Sequence, residues 1–179
     1  HKIVLPFIKE NRTIVLEVSM PIYLRKLIEE KGKLILTRTG HNFVREAAKI
    51  HNAFMGAEYS GHFTFIDNGY IDDGLFAGLK LIREFQKNKI WFNDIKAPEI
   101  YIEKTQIPIN NDIIKKLKDL AEKGKIEYNT IDGIELLFDF GRILVRPSNT
   151  EPIYRVILES YDNKKLSELR EIARNLIFG

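Results

Sequence analysis

The alternation between residues 13 and 50 constrains the fold more than any other feature of this sequence. Thr13–Val18 (TIVLEV) is a largely apolar run and reads as a buried strand. Ile22, Leu24, Leu27 and Ile28 then give a helical stripe. Ser19 or Met20 is the expected cap, Pro21 lies near the helix start, and Gly32 stops the helix. Lys33–Thr37 is a second strand. Gly40 begins a loop, and a helix from about Asn42 to Ile50 is expected to bury Phe43, Val44, Ala47 and Ala48. Strand, helix, strand, helix at this spacing implies βαβ units and a sheet that is at least partly parallel.

The segment Ala53–Glu58 leads into Tyr59-Ser60-Gly61-His62 and then a strand, Phe63–Ile66. Asp67-Asn68-Gly69 is a turn signal. Asp72 suits the N-cap of a helix carrying Leu75, Phe76, Leu79 and Ile82 inward to about Phe85. The pattern changes between Lys87 and Pro98, which places a domain boundary after Phe92 and gives domains 1–92 and 93–179. Beyond it the strands become antiparallel in style. Ile100–Gln106 is a strand, and Asn110 or Asn111 caps a helix with Ile113, Ile114, Leu117, Leu120 and Ala121 on one face. Asp132-Gly133 is a two-residue hairpin signal between strands Ile126–Thr130 and Ile134–Phe138. Gly141 turns the chain into Arg142–Val145. Ile153–Glu159 is a further strand, and a last helix from Asn163 turns Leu166, Leu169, Ile172, Ala173 and Leu176 inward. The fold class is α/β plus α+β: a βαβ-type mixed-sheet domain, then a small antiparallel-sheet domain with two helices.

Composition excludes several function classes. The 28 Lys and Arg are interleaved with 25 Asp and Glu, so the concentrated basic face of a nucleic-acid binder is missing. No apolar run reaches the roughly 18 residues a membrane span needs, and the first residues are too short an apolar run for a signal peptide. There is no cysteine, hence no disulfide framework or thiolate metal site. A cytoplasmic location is the expectation. Abundant Ile, Lys and Glu beside scarce Gln, Met and Cys fit a heat-adapted source.

Four stretches could carry chemistry. Arg146-Pro147-Ser148-Asn149-Thr150-Glu151-Pro152 lies between two strands. Its prolines stiffen it, Arg146 offers a planar fork of donors, and Ser148, Asn149 and Thr150 add short ones. It reads either as an anion cradle or as an ordinary solvated turn. Thr39-Gly40-His41 puts an imidazole in a strand-to-helix loop, where substrates often sit, or simply a histidine in solvent. In Gly56-Ala57-Glu58-Tyr59-Ser60-Gly61-His62, Glu58 is an acceptor able to hold two sugar hydroxyls, with Ser60 and His62 beside it; a polar hairpin turn is the plainer reading. Asp72-Asp73-Gly74 suggests metal binding or acid–base work, but helix capping explains it more simply. Phosphate-loop, dinucleotide, nucleophile-elbow and zincin motifs are all missing.

Together these stretches resemble the α-D-phosphohexomutase family, the phosphomannomutase/phosphoglucomutase enzymes. Residues 56–62 are similar to that family's Gly-Glu-x-Ser-Gly-His sugar-binding loop, 72–74 to the start of its next helix, and 146–152 to its phosphate-binding loop. Thr39-Gly40-His41 resembles the subgroup that uses mannose and glucose phosphates. The resemblance maps onto the third and fourth of the family's four domains. It implies that His41, Glu58, Ser60 and His62 read the sugar, and that Arg146, Ser148, Asn149 and Thr150 hold the phosphate not being transferred. It also implies interconversion of hexose 1-phosphate and 6-phosphate through a hexose 1,6-bisphosphate. The family's phosphoserine loop (Thr-x-Ser-His-Asn-Pro) and Mg²⁺ loop (Asp-Gly-Asp-x-Asp-Arg) do not occur in this sequence. No catalytic residue and no metal ligand is therefore expected here, and the domains carrying them become the expected partner. The lysine that some members carry at the head of the third domain's first helix is also missing from Glu17-Val18-Ser19-Met20-Pro21, and Ala57 departs from the sugar motif. A sugar-phosphate-binding role without turnover and a phosphoglucosamine mutase of the same family are the alternatives.

Overall fold

The computed structural model describes residues 1–109 and 111–178, with the side chains of 111 and 176–178 left aside. It divides into two compact units, His1–Ala97 and Pro98–Gly179.

The first unit is built on a four-stranded sheet. Its elements are β1 (Thr13–Glu17), α1 (Ile22–Glu29), β2 (Lys33–Thr37), α2 (His41–Ile50), β3 (Met55–Ala57), β4 (Phe63–Phe65) and α3 (Gly74–Asn88). The strand order is β2-β1-β3-β4. β1 pairs in parallel with both β2 and β3, while β4 runs antiparallel to β3. The βαβ pattern and the mixed sheet are those expected from the alternation of elements. Val15 packs with Val44 and Ala48 of α2, and with Ala53 and Tyr70. Ile14 and Leu16, buried as well, point to the opposite face by the two-residue period. Gly56 is what lets α2 lie close: a Cβ there would stand 2.6 Å from Val44 Cγ1 and 2.9 Å from Thr64 Oγ1. A turn of 3₁₀ helix, Lys2–Phe7, brings Phe7 within 5.3 Å of the Phe65 ring, and Phe65 lies 6.0 Å from Phe76 of α3.

Several local expectations shift. The cap of α1 is Pro21, not Ser19 or Met20, with no side-chain cap bond, because both residues are buried in the bend after β1. Phe43 is not buried; it is 42% exposed, with the Arg38 guanidinium over its ring. The cap of α3 is Asp73, whose carboxylate accepts from Phe76 N at 2.9 Å, not Asp72. The buried face of the helix also differs from the expected one. Ala77 is buried, while Leu75, Leu79 and Ile82, expected inward, are 77%, 59% and 53% exposed. The helix is apolar on two sides, so periodicity alone could not select the inner one.

The second unit contains β5 (Tyr101–Pro108), α4 (Asn111–Gly124), β6 (Glu127–Asn129), β7 (Ile134–Phe138), β8 (Gly141–Pro147), β9 (Ile153–Ser160) and α5 (Asn163–Phe178). All strand pairs are antiparallel, in the order β5-β9-β8-β7-β6. The core joins Ile113, Leu117 and Ala121 of α4 to Leu166, Leu169 and Ala173 of α5, over inward residues of β7, β8 and β9. The Asn110/Asn111 cap and the inward Leu176 lie outside the described residues. Asp132-Gly133 is not a two-residue hairpin. The last pair is Asn129 with Glu135, so the connection is longer. Gly133 is instead set by close approach: φ is +79° and a Cβ would meet Val145 O at 2.2 Å. Gly141 belongs to β8, and the turn before it is Asp139-Phe140.

Candidate functional site

β1, β2 and β3 are parallel, so their C-terminal ends lie on one edge of the sheet. β1 lies between the other two, which makes its C-terminal end a topological switch point, the usual ligand position in open α/β sheets. Three loops meet that edge: the bend after Glu17, Thr39-Gly40 before α2, and Glu58–His62 between β3 and β4.

The Glu58–His62 loop is a tight, internally bonded turn. Glu58 N donates to His62 O at 3.0 Å, and Gly61 N donates to Glu58 O at 3.1 Å. Gly61 has φ +93°, a conformation that excludes most other residues. Glu58 itself is buried, with Oε1 lacking a hydrogen-bond partner among the described residues. Its Oε2 accepts from Ser60 Oγ at 3.3 Å. Burial pushes the Glu58 carboxyl above its ordinary value, and the nearby Glu17 charge adds to the rise, while His62 and the Ser60 bond oppose it. An acceptor-only carboxylate with a buried, unfilled oxygen suits hydroxyl donors from a ligand.

His41, the first residue of α2, lies 5.9 Å from His62, ring centroid to centroid. The two imidazoles named from separate motifs are thus neighbours. His62 Nδ1 bonds to Asp72 Oδ2, and Asp72 Oδ1 accepts from Phe63 N at 3.3 Å. Asp72 therefore orients the histidine of the sugar-type loop, while its neighbour Asp73 caps the helix. Sequence reasoning merged the two roles. It also missed Glu17. This buried carboxylate accepts from Tyr59 N at 2.8 Å and ties the loop to the end of β1. A charged residue ending an otherwise apolar strand was the available signal. Ser19, in the stretch before α1, has its Oγ 3.2 Å from Thr39 Oγ1.

In the second unit the anion-type stretch is shorter than the sequence suggested. β8 runs through Pro147, so Arg146 and Pro147 are strand residues and only 148–152 form the loop. Ser148 N donates to Ile153 O at 2.9 Å and closes it. Arg146 is mostly buried, with Nη1 donating to Pro147 O at 3.2 Å. Directly opposite it in the β8–β9 register is Arg155, which sequence reasoning passed over. Arg155 donates from Nη2 to Glu151 Oε2 at 2.7 Å, and lies 3.4 Å from Ser148 Oγ through Nε and Nη2. The register places both arginines on the same face of the two strands at the base of the loop. Like charges opposite one another destabilise a strand pair unless an anion sits near. Thr150 N reaches Ser148 Oγ at 3.5 Å, and Asn149 and Thr150 occupy the exposed tip. No residue of either loop was identifiable from its own strand alone as facing a particular partner; the register supplies that.

Among the described residues no group of three or more His, Cys, Asp or Glu could hold a metal ion, and no helix is long and apolar enough to cross a membrane.

Comparison with known proteins gives the same division. Residues 6–99 match the model of phosphoglucomutase/phosphomannomutase alpha/beta/alpha domain III, and 105–176 match that family's C-terminal domain. A phosphoglucomutase/phosphomannomutase of Thermococcus kodakarensis is 32% identical over 82% of this chain and 33% of its own length. A phosphoglucosamine mutase of Finegoldia magna is 30% identical over 93% of this chain and 39% of its own. Among solved structures, a phosphoglucomutase/phosphomannomutase family protein from Burkholderia thailandensis superposes with a TM-score of 0.81 at 24% identity, over 98% of this chain and 39% of that one. The chain thus spans between a third and two fifths of the relatives it matches. With both domain models matched in order along nearly its whole length, the chain belongs to the phosphoglucomutase/phosphomannomutase family of α-D-phosphohexomutases and carries that family's third and C-terminal domains.

Proposed function

We propose that this chain is the substrate-recognition part of a phosphohexomutase that interconverts hexose 1-phosphates and hexose 6-phosphates, with glucose and mannose phosphates as substrates. The observation that carries this reading is the pair Arg146 and Arg155, opposed across β8 and β9 beneath a proline-bounded loop in the matched C-terminal domain. Arg146, Ser148, Asn149 and Thr150 grip the phosphate that is not transferred. Glu58 and Ser60 accept and donate to sugar hydroxyls, and His41 and His62, the latter oriented by Asp72, add ring N–H donors. The reacting end of the sugar is presented to a phosphoserine outside this chain. That serine passes its phosphoryl group to the free hydroxyl and forms the 1,6-bisphosphate; after the sugar turns over, the serine oxygen takes the other phosphoryl group back. Mg²⁺, whose ligands would lie outside this chain, would supply charge stabilisation for the transferring group, while these loops supply positioning.

Phosphoglucosamine mutase is the second reading, supported by the Finegoldia magna relative. Binding of the sugar phosphate without turnover is what the chain does when isolated. Two-dimensional NMR of the ¹⁵N-labelled chain tests the proposal. Glucose 1-phosphate is expected to shift the amides of residues 58–62 and 148–150. Arg146→Ala is expected to weaken the effect by roughly 10- to 100-fold, since a charge-assisted contact is worth about 1.5–3 kcal/mol. Absence of both sets of shifts at millimolar ligand refutes the reading. Tighter binding of glucosamine 1-phosphate than of glucose 1-phosphate selects the second one.

A further inference from the structure

We propose that Glu151 is a built-in exchange anion of the 148–152 loop: its carboxylate and the phosphate of a ligand take turns on Arg155. The proposal rests on the reading of this loop as the grip for the phosphate that is not transferred. Charge along β8 and β9 is the starting point. Arg142 stands opposite Glu159 in the strand register and is ion-paired with it at 2.7 Å. Four residues along the same face, Arg146 stands opposite Arg155. The strands thus set an acid against the first arginine and a second arginine against the other, an arrangement that calls for an anion from outside the two strands. Glu151 is the single acid of the loop, and its Oε2 accepts from Arg155 Nη2 at 2.7 Å.

This bond is suited to exchange. The side chains of Arg155 and Glu151 are 37% and 52% exposed, so water weakens their attraction, whereas the Arg142 pairs are fully buried. The loop backbone is closed independently of it: Ser148 N donates to Ile153 O at 2.9 Å, and Ile153 N donates to Glu151 O at 2.8 Å. The carboxylate can therefore leave by side-chain rotation alone. Arg155 also directs Nε and Nη2 at Ser148 Oγ, 3.4 Å away, which keeps the guanidinium at the loop during the exchange. A phosphate monoester brings about −1.5 to −2 charges and three acceptor oxygens, against one charge and two oxygens for the carboxylate, so it displaces Glu151. Under the mutase reading the gripped phosphate must be let go while the bisphosphate turns over. A carboxylate that returns to Arg155 at that moment keeps a counter-charge at this end of the strand pair and lowers the cost of release.

Inorganic phosphate is the probe, titrated into the ¹⁵N,¹³C-labelled chain at constant ionic strength while the amides of residues 148–155 are followed by NMR. Glu151→Gln is expected to tighten phosphate binding by roughly two- to fivefold, the range an exposed ion pair allows, and Glu151→Ala to act in the same direction. Glu168→Gln removes the same charge from the exposed pair with Lys165 on α5 and is expected to leave the dissociation constant unchanged. The Glu151 carboxyl ¹³C resonance, assigned by its loss in Glu151→Gln, is expected to move on phosphate addition toward its position in Arg155→Gln, where the carboxylate has no guanidinium to hold. Weaker or unchanged binding in Glu151→Gln overturns the proposal, since Glu151 would then orient Arg155 and not compete for it. So does equal tightening by Glu168→Gln, or a carboxyl resonance that stays put while the amides shift. No amide response to about 100 mM phosphate in both the parent and Glu151→Gln overturns it as well. The amides of residues 58–62, read with glucose 1-phosphate, are expected to respond in every variant; their silence strikes the sugar-recognition reading and leaves the exchange at Arg155 standing.

Discussion

Arg142→Met is expected to unfold much of the second unit under mild conditions. The Arg142 guanidinium lies between two carboxylates, donating from Nη1 to Glu135 Oε1 at 2.7 Å and forming an ion pair from Nη2 with Glu159 Oε2, also at 2.7 Å. All three side chains are fully buried. Methionine fills much of the same volume but leaves two carboxylates without their shared cation. Breaking a buried pair in this way costs about 3–5 kcal/mol, a large part of the 5–15 kcal/mol that holds a typical domain. For a unit of this size the urea m-value is about 1 kcal/mol/M, so the midpoint should fall by roughly 3 M or more. Hydrogen exchange of peptides spanning residues 134–160 reads this unit separately from the first. The triple variant Arg142→Met, Glu135→Leu, Glu159→Leu should recover most of the loss, because a neutral apolar cluster is often as stable as the ion triad. A loss below about 1 kcal/mol, or a triple variant as unstable as the single one, would refute the reasoning. The triad also matters for the loop above it. Arg142 pairs with Glu159 four residues before Arg146 pairs with Arg155 on the same face of the two strands, so it helps fix the register that opposes the two arginines.

Glu58→Gln should flatten the pH dependence of the first unit's stability. The folded state raises the Glu58 pKa, so its stabilising contribution is complete below the unfolded value of about 4.3 and is lost as pH rises through the folded value. Chemical denaturation should find the variant gaining on the parent above that window and not below it; a difference that grows as pH falls would contradict this. Gly56→Ala should cost about 1–3 kcal/mol, because its Cβ would stand 2.6 Å from the stiff Val44 side chain. Val44→Ala in the same chain should return part of that loss, and simple additivity of the two changes by thermal unfolding would show that the contact is not the cause.

Much of the architecture follows from local pattern. The run Thr13–Val18, the stripe Ile22–Ile28 and the run Lys33–Thr37 specify their own elements, and short connections between parallel strands leave few topologies. The same holds for α4 and α5, whose expected inner residues Leu117, Leu166 and Leu169 are buried. The motif residues Glu58, Ser60 and His62 were legible because they lie close together in sequence.

Other features required the folded chain. α3 has apolar residues on two sides, and packing, such as Phe76 against Phe65, decides which side turns inward; Asp72 and Asp73 are chemically equal until one meets His62 and the other the helix start. Glu17 and Tyr59, or Arg146 and Arg155, are linked only through strand pairing and loop closure. The sequence by itself determined the elements, the two-domain order and the chemistry available in each loop, because those depend on neighbours within a few residues. Tertiary structure alone decided that His41 and His62 stand together, that Glu17 anchors the sugar-type loop, that Arg155 joins Arg146, and that an apolar helix face is left outward. Each of these is a juxtaposition across a register or a packed face, and no local preference encodes it.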